Sequence, residues 1–231
     1  MSIADNLALV RHNVDLAVAR RRDVPVTGPR VKVVAVTKNH EAAEVREALT
    51  AGAEALGENR VQEATAKAAL LPPAEWHLIG HLQTNKVRQA VPLFTLIHSL
   101  DSEKLALEVE RVAARMDKHQ DVLIQVNVAG EDTKSGVAPG GVMELARLAS
   151  GLAHVRLCGL MTMAPFYEDA EQARPVFREL YGIFAALKAA ALPNTAIEWL
   201  SMGMTNDYGV AVEEGANLVR VGTAIFGPRH Y

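Results

Sequence analysis

Short apolar runs alternate with stretches of helical periodicity along nearly the whole chain. The runs at 31–37, 53–57, 75–79, 95–98, 121–128, 155–161, 197–201 and 218–221 have the length of buried strands. Between them, 41–51, 59–70, 84–91, 102–118, 139–151, 169–191 and 206–214 place apolar residues three and four apart. The spacing is clearest at Val45 and Leu49 and at Val176, Leu180, Phe184 and Leu187. Gly52, Pro72-Pro73, Pro92, Gly151 and Pro193 fall at the joints. A further amphipathic segment, 3–22, precedes the first strand and carries the stripe Ile3, Leu7, Val10, Val14 and Val18. Strands that are apolar on both faces and separated by helices predict a parallel sheet covered by helices. Eight of them favour closure into a single (β/α)8 TIM barrel, with an extra N-terminal helix; an open doubly wound sheet is the alternative. Residues 1–231 therefore read as one domain, 1–30 forming the helix and lead-in and 31–227 the barrel, with no linker or repeat.

At 231 residues, the chain is long enough to bury one large core, and 49% hydrophobic against 22% charged residues is the balance of a soluble globular protein. A net charge of −3 argues against a general nucleic-acid binder or an anionic-membrane binder. The one cysteine, Cys158, cannot form an internal disulfide, and its apolar run favours core packing over a reactive thiol. The N-terminus mixes charges into its apolar stripe, unlike a secretory signal, and no run approaches a membrane span, so a cytoplasmic address is expected.

Barrel enzymes carry their chemistry at the C-terminal ends of the strands. Lys38 stands there after the first strand, either as a surface lysine or as a Schiff-base amine. After the last strand, Arg220-Val221-Gly222-Thr223 opens a short helix whose backbone N–H groups and dipole suit an anion; an ordinary strand-to-helix turn with a threonine cap is the plain alternative. Ser201-Met202-Gly203-Met204 offers further donors beside it. A lysine, phosphate donors and an arginine on one rim point to pyridoxal 5'-phosphate (PLP), with its aldehyde for Lys38, its phosphate for the turn and its ring nitrogen for Arg220. Asn59 and Glu58 either orient groups around that cofactor or cap the next helix. His77 and His81 are four apart, but on a strand end and not a helix, and no third ligand matches them; no metal site is expected. Asn85 and Lys86 read as a rim anchor or as solvated surface, and Lys134 as a second amine near the site or as part of a turn.

With these residues placed, the chain resembles the pyridoxal phosphate homeostasis protein family. The likeness is carried by Ala35-Val36-Thr37-Lys38, Gly57-Glu58-Asn59-Arg60-Val61-Gln62-Glu63 and Trp76-His77-Leu78-Ile79-Gly80-His81-Leu82-Gln83-Thr84-Asn85-Lys86. It continues through Ile124-Gln125-Val126-Asn127-Val128, Lys134-Ser135-Gly136, Gly159-Leu160-Met161-Thr162-Met163, Leu200-Ser201-Met202-Gly203-Met204-Thr205-Asn206-Asp207 and Val219-Arg220-Val221-Gly222-Thr223-Ala224-Ile225-Phe226-Gly227. Thr205 replaces a serine that is commoner in the pattern, with the hydroxyl kept. The resemblance implies a barrel like the N-terminal domain of alanine racemase, PLP held as a Schiff base on Lys38, Arg220 at the ring nitrogen, and Ser201, Gly222 and Thr223 at the phosphate, with Met202 and Asn59 also at the site.

It further implies a role in vitamin B6 and amino-acid homeostasis without robust turnover, PLP-requiring apoenzymes as recipients, and a monomer. A weak amino-acid racemase is the alternative, and a Schiff-base aldolase without coenzyme a more distant one. Racemisation with two bases needs a second group opposite Lys38. The racemases take theirs from a tyrosine in a further domain, and the setting of Tyr167, Tyr208 or Tyr231 marks none of them for that part.

Overall fold

Val33, Val34 and Ala35 are all buried although they alternate between the two faces of one strand, as burial on both sides requires. The computed structural model describes residues 1–21, 26–131 and 135–227. Eight parallel strands close on themselves in chain order. They are β1 (Lys32–Val36), β2 (Ala55–Glu58), β3 (Trp76–Leu78), β4 (Leu96–Leu100), β5 (Gln120–Gln125), β6 (Val155–Met161), β7 (Thr195–Ser201) and β8 (Leu218–Val221). Arg220 pairs with Val34 and Val221 with Ala35, so the first and last strands are neighbours. This closure makes the sheet a TIM barrel and excludes the open doubly wound alternative.

The helices are α1 (Ile3–Ala19), α2 (Ala42–Thr50), α3 (Val61–Ala68), α4 (Val87–Ala90), α5 (Glu103–Arg115), α6 (Val142–Ser150), α7 (Arg174–Ala189), α8 (Tyr208–Glu213) and α9 (Thr223–Phe226). The last is a single turn, too short to cover the sheet between β8 and β1. The N-terminal helix fills that place. Its start is fixed by a capping box between Ser2 and Asp5, and Leu7, Val10, Val14 and Ala17 are buried as α1 packs on α8, α9 and α2. Asn6 Nδ2 donates to the Ile225 carbonyl at 2.9 Å, and the Arg21 guanidinium to the carbonyls of Val212 and Ala216. The segment read as an extra helix thus completes the outer ring. Among the described residues, no helix is long and apolar enough to cross a membrane.

Element ends depart from the pattern where local bonding intervenes. Residues 84–91 form a 3-10 turn, Thr84–Lys86, followed by one turn of α4. The expected start of α5 at 102 moves by one, because Ser102 is its cap and accepts from the Leu105 N–H at 3.4 Å. β5, expected to reach 128, stops at Gln125. There Gly136 (φ 128°) folds the loop back, so that the Val137 N–H bonds Gln125 and the Asn127 N–H bonds Val137.

Inside the barrel, Val34, Ala55, Leu96, Leu123, Cys158, Met161 and Leu218 form an apolar plug. Cys158 is the extra residue of a bulge, since Val122 pairs with Leu157 while Leu123 pairs with Gly159. Gly159 (φ 149°) permits it: a Cβ there would lie 1.8 Å from the Trp199 carbonyl oxygen. Burial pushes the Cys158 thiol up to about 12. Native protein at pH 8 should therefore be alkylated by iodoacetamide about a thousandfold more slowly than the urea-unfolded chain. Equal rates with and without urea would contradict this burial.

Candidate functional site

Lys38 lies two residues beyond the end of β1, on a turn that is held from beneath. The Thr37 N–H donates to the Gly57 carbonyl at 3.0 Å, and the His40 N–H closes the turn on the Thr37 carbonyl at 3.0 Å. Asn39, in the left-handed region at φ 62°, donates its N–H to Glu63 Oε1 at 2.7 Å. Below them Glu58, fully buried, accepts from the Thr37 hydroxyl at 2.6 Å and from the Lys67 ammonium at 2.6 Å. Lys67 also donates to the Thr37 carbonyl at 2.5 Å and to Glu63 at 2.9 Å. Burial raises the Glu58 carboxyl above the usual carboxylate range, with Lys67 and Thr37 opposing. The backbone around Lys38 is thus clamped, while its amine has no hydrogen bond or ion pair with any described residue. Glu58 faces α3 within this clamp and supplies no cap hydrogen bond to it.

Arg220, on β8, is buried in the barrel. Its Nη1 donates to Ser201 Oγ at 2.6 Å and its Nη2 to the Thr162 carbonyl at 2.8 Å. Burial brings the guanidinium down to about 10, partly offset by the charge of Asp207, so it stays a cation at neutral pH. Among the described residues no carboxylate pairs with it. Ser201, at the end of β7, also meets His98 Nδ1 at 3.0 Å. Its hydroxyl is therefore engaged beside Arg220 inside the barrel.

The turn after β8 sits beside Val36; a Cβ on Gly222 would lie 3.4 Å from that of Val36. The Gly222 N–H donates to Thr205 Oγ1 at 3.3 Å, and its carbonyl takes the N–H groups of Ile225 and Phe226. Thr223 is exposed at the first position of α9; its N–H and that of Ala224 meet no described acceptor. The preceding loop is tied inward. The Met202 side chain is in the core and its N–H bonds the Leu218 carbonyl at 3.2 Å, so Met202 supports the loop without offering a free donor. The Gly203 carbonyl accepts from the Arg220 N–H at 3.0 Å, and Asp207 Oδ1 from the Met204 N–H at 2.7 Å.

Lys38, Asn59, Ser201, Met202, Arg220, Gly222 and Thr223 thus all come to the C-terminal end of the barrel. Asn59 is half-buried, and Gly80 packs so closely behind it that a Cβ would lie 2.4 Å from its carbonyl oxygen. A groove of about 260 Å³ opens beside this mouth, lined by Met163, Phe166, Tyr167, Met204 and Asn206, and not directly over Lys38. His77 and His81 do not share a face: His77 is inside the barrel against Glu75, whereas His81 is exposed beside Asp101. The Tyr208 hydroxyl accepts from Asn13 on α1, away from the mouth. Lys134 and Tyr231 lie outside the described residues. The sequence places His98 and Thr162 among the strand-end positions of this rim but gives neither a role in the site. Strand alternation was the available signal for His98, because its neighbour Ile97 belongs to the outer core.

A family model described as alanine racemase, N-terminal domain, matches residues 6–230. The chain is 44% identical over 202 residues to the pyridoxal phosphate homeostasis protein of Aquifex aeolicus, covering 87% of this chain and 88% of that one. It is 37% identical over 235 residues to the protein of the same name from Pasteurella multocida, covering 100% and 99%. Among solved structures, PipY of Synechococcus elongatus PCC7942 with PLP bound is similar at a TM-score of 0.83 and 39% identity, over 98% of this chain and 100% of that chain. An alanine racemase of Clostridium difficile shares the fold at a TM-score of 0.71 and 17% identity, over 98% of this chain and 57% of that one. With such identities running over almost the full length of its relatives, this chain belongs to the pyridoxal phosphate homeostasis protein family.

Proposed function

We propose that this chain holds PLP reversibly on the Lys38 amine and serves intracellular PLP and amino-acid homeostasis by storing and releasing it. The observation that carries the reading is a lysine amine unpaired among the described residues, a buried guanidinium with no carboxylate partner among them and a turn whose Thr223 and Ala224 N–H groups meet no described acceptor, all at one end of the barrel. A buried cation without a counter-ion is costly. An anionic ligand with a ring acceptor fits that donor set, and the missing Cβ of Gly222 leaves room beside Val36.

When bound, PLP supplies an aldehyde that condenses reversibly with an amine, and an electron-withdrawing ring. Lys38 provides the amine, presented by the clamped turn. Gly222, Thr223 and the Thr205 hydroxyl would face the phosphate, with Met202 holding their loop and Asn59 flanking the mouth. Ser201 would hold Arg220. Facing a ring nitrogen, Arg220 would donate a hydrogen bond without giving up its proton, and so would leave that nitrogen unprotonated and weaken the electron sink. Such a site is suited to carriage more than to carbanion chemistry.

On the same proposal the chain acts as a monomer in the cytoplasm and passes PLP to apoenzymes; the closed sheet, which among the described residues leaves no strand edge for a second copy, supports the monomer alone. The purified protein should show a visible absorbance band that borohydride removes, and the reduced adduct should map to the peptide holding Lys38. An adduct found only on other lysines would overturn the assignment.

A further inference from the structure

A line of polar side chains runs through the otherwise apolar interior of the barrel. From the mouth downward, Arg220 Nη1 meets Ser201 Oγ at 2.6 Å, Ser201 Oγ meets His98 Nδ1 at 3.0 Å, and His98 Nε2 meets His77 Nδ1 at 3.0 Å. The line goes on from His77 Nε2 to Glu75 Oε1 at 2.7 Å, and Glu75 ends it at the Lys32 ammonium, 2.8 Å away. Ser201, His77 and His98 are buried, while Glu75 and Lys32 are partly exposed at the foot of the barrel.

The two ends dictate where the hydrogens sit. A guanidinium only donates, so Ser201 Oγ accepts from Arg220. A carboxylate only accepts, and Glu75 is ionised, drawn down to about 2 by its hydrogen bond from His77. His77 Nε2 therefore carries a hydrogen. If His77 is neutral, its Nδ1 is an acceptor, so His98 Nε2 must carry the hydrogen between the two rings. A neutral His98 then offers Nδ1 to the Ser201 hydroxyl. Each contact receives one hydrogen and none receives two.

We infer that Glu75, His77 and His98 are positioning residues for Arg220: the chain they form turns the Ser201 hydroxyl hydrogen away from the guanidinium and presents it an oxygen lone pair. The rival arrangement protonates His77 and reverses the contact with His98, so that His98 Nδ1 and Arg220 both donate to Ser201. It adds a second buried cation in a barrel that already holds Arg220 above and Lys32 below. Burial holds both imidazoles below their ordinary range, His98 further lowered by His77 and Arg220, and His77 lowered by Lys32 although raised by Glu75. Asp207 acts on Arg220 without pairing with it. The consequence is an anchored guanidinium that keeps its full charge for a ligand, because the balancing carboxylate stands at the far end of a chain of neutral dipoles.

The functional consequence rests on the reading that Arg220 faces the cofactor, whereas the hydrogen pattern does not. Long-range proton–nitrogen correlation spectra of the full chain with nitrogen-15-labelled histidine, taken without PLP at neutral pH, should show His77 and His98 both neutral with the hydrogen on Nε2. A charged His77, or a hydrogen on His98 Nδ1, overturns the inference whatever the protein does with PLP. The Glu75→Gln variant keeps a carbonyl acceptor and should keep both tautomers. Glu75→Leu should disturb them and weaken PLP binding about tenfold, the scale of one buried hydrogen bond. Disturbed tautomers with unchanged PLP affinity would overturn the positioning role. The wild-type spectrum carries the test even where Glu75→Leu fails to fold. Nε2 tautomers in a protein that takes up no PLP would support the chain and sink only the proposed function.

Discussion

Lys38→Ala should retain no covalent PLP after borohydride reduction and denaturing dialysis, while its thermal midpoint stays within about 2 °C of wild type. Two observations lead to that split. The amine of Lys38 contributes no hydrogen bond or ion pair to the described fold, so its loss removes nothing that stabilises the turn. The turn is instead held by its neighbours: Thr37 on Gly57 and Glu58, Asn39 on Glu63, and His40 stacked on Phe226 with ring centroids 4.6 Å apart. Covalent capture, by contrast, has no substitute in alanine. PLP content is read from the absorbance of the reduced adduct and stability from the midpoint of a melting curve. Normal adduct in the variant would mean that another amine, such as Lys67, holds the cofactor, and a large drop in midpoint would mean that Lys38 is structural.

The barrel was readable because its strands are covered on both faces: consecutive apolar residues such as Val33, Val34 and Ala35 are all buried, and eight such runs in helix-separated order leave few ways to pack. The rim residues Lys38, Gly222 and Thr223 were readable for a related reason, since each lies where an apolar run gives way to polar residues. What lies inside the barrel was harder. His77 and His98 sit within short strands, and periodicity says which face a residue takes without saying which distant strand supplies its partner. The contact of His98 with Ser201 joins residues 103 apart in sequence. The Glu58–Lys67 pair was missed for another reason: a buried charge on a helix reads as surface until its counter-charge is placed beneath it.

That pair gives the second large effect. Lys67→Met should lower stability by about 3–5 kcal/mol at pH 8, because it leaves Glu58 as a buried carboxylate without its cation. Glu58 has no exposed surface, and among the described residues its second oxygen, Oε2, has no hydrogen-bond partner. Losing Lys67 removes the nearest group that opposes the upward shift of this carboxyl, so its folded pKa rises further above the unfolded value. The folded chain then binds a proton that the unfolded chain does not, and stability is lost as pH rises through the folded pKa and regained as pH falls toward about 4.3. Urea unfolding of Lys67→Met at pH 5 and pH 8 should show the smaller penalty at pH 5, and the double variant Glu58→Gln with Lys67→Met should recover most of the loss at pH 8. The same variant should take up PLP more slowly, since Lys67 also holds the Thr37 carbonyl next to Lys38. A Lys67→Met protein as stable as wild type at pH 8 would show that Glu58 is already protonated in the native state, and the clamp under Lys38 would then rest on neutral hydrogen bonds in place of an ion pair.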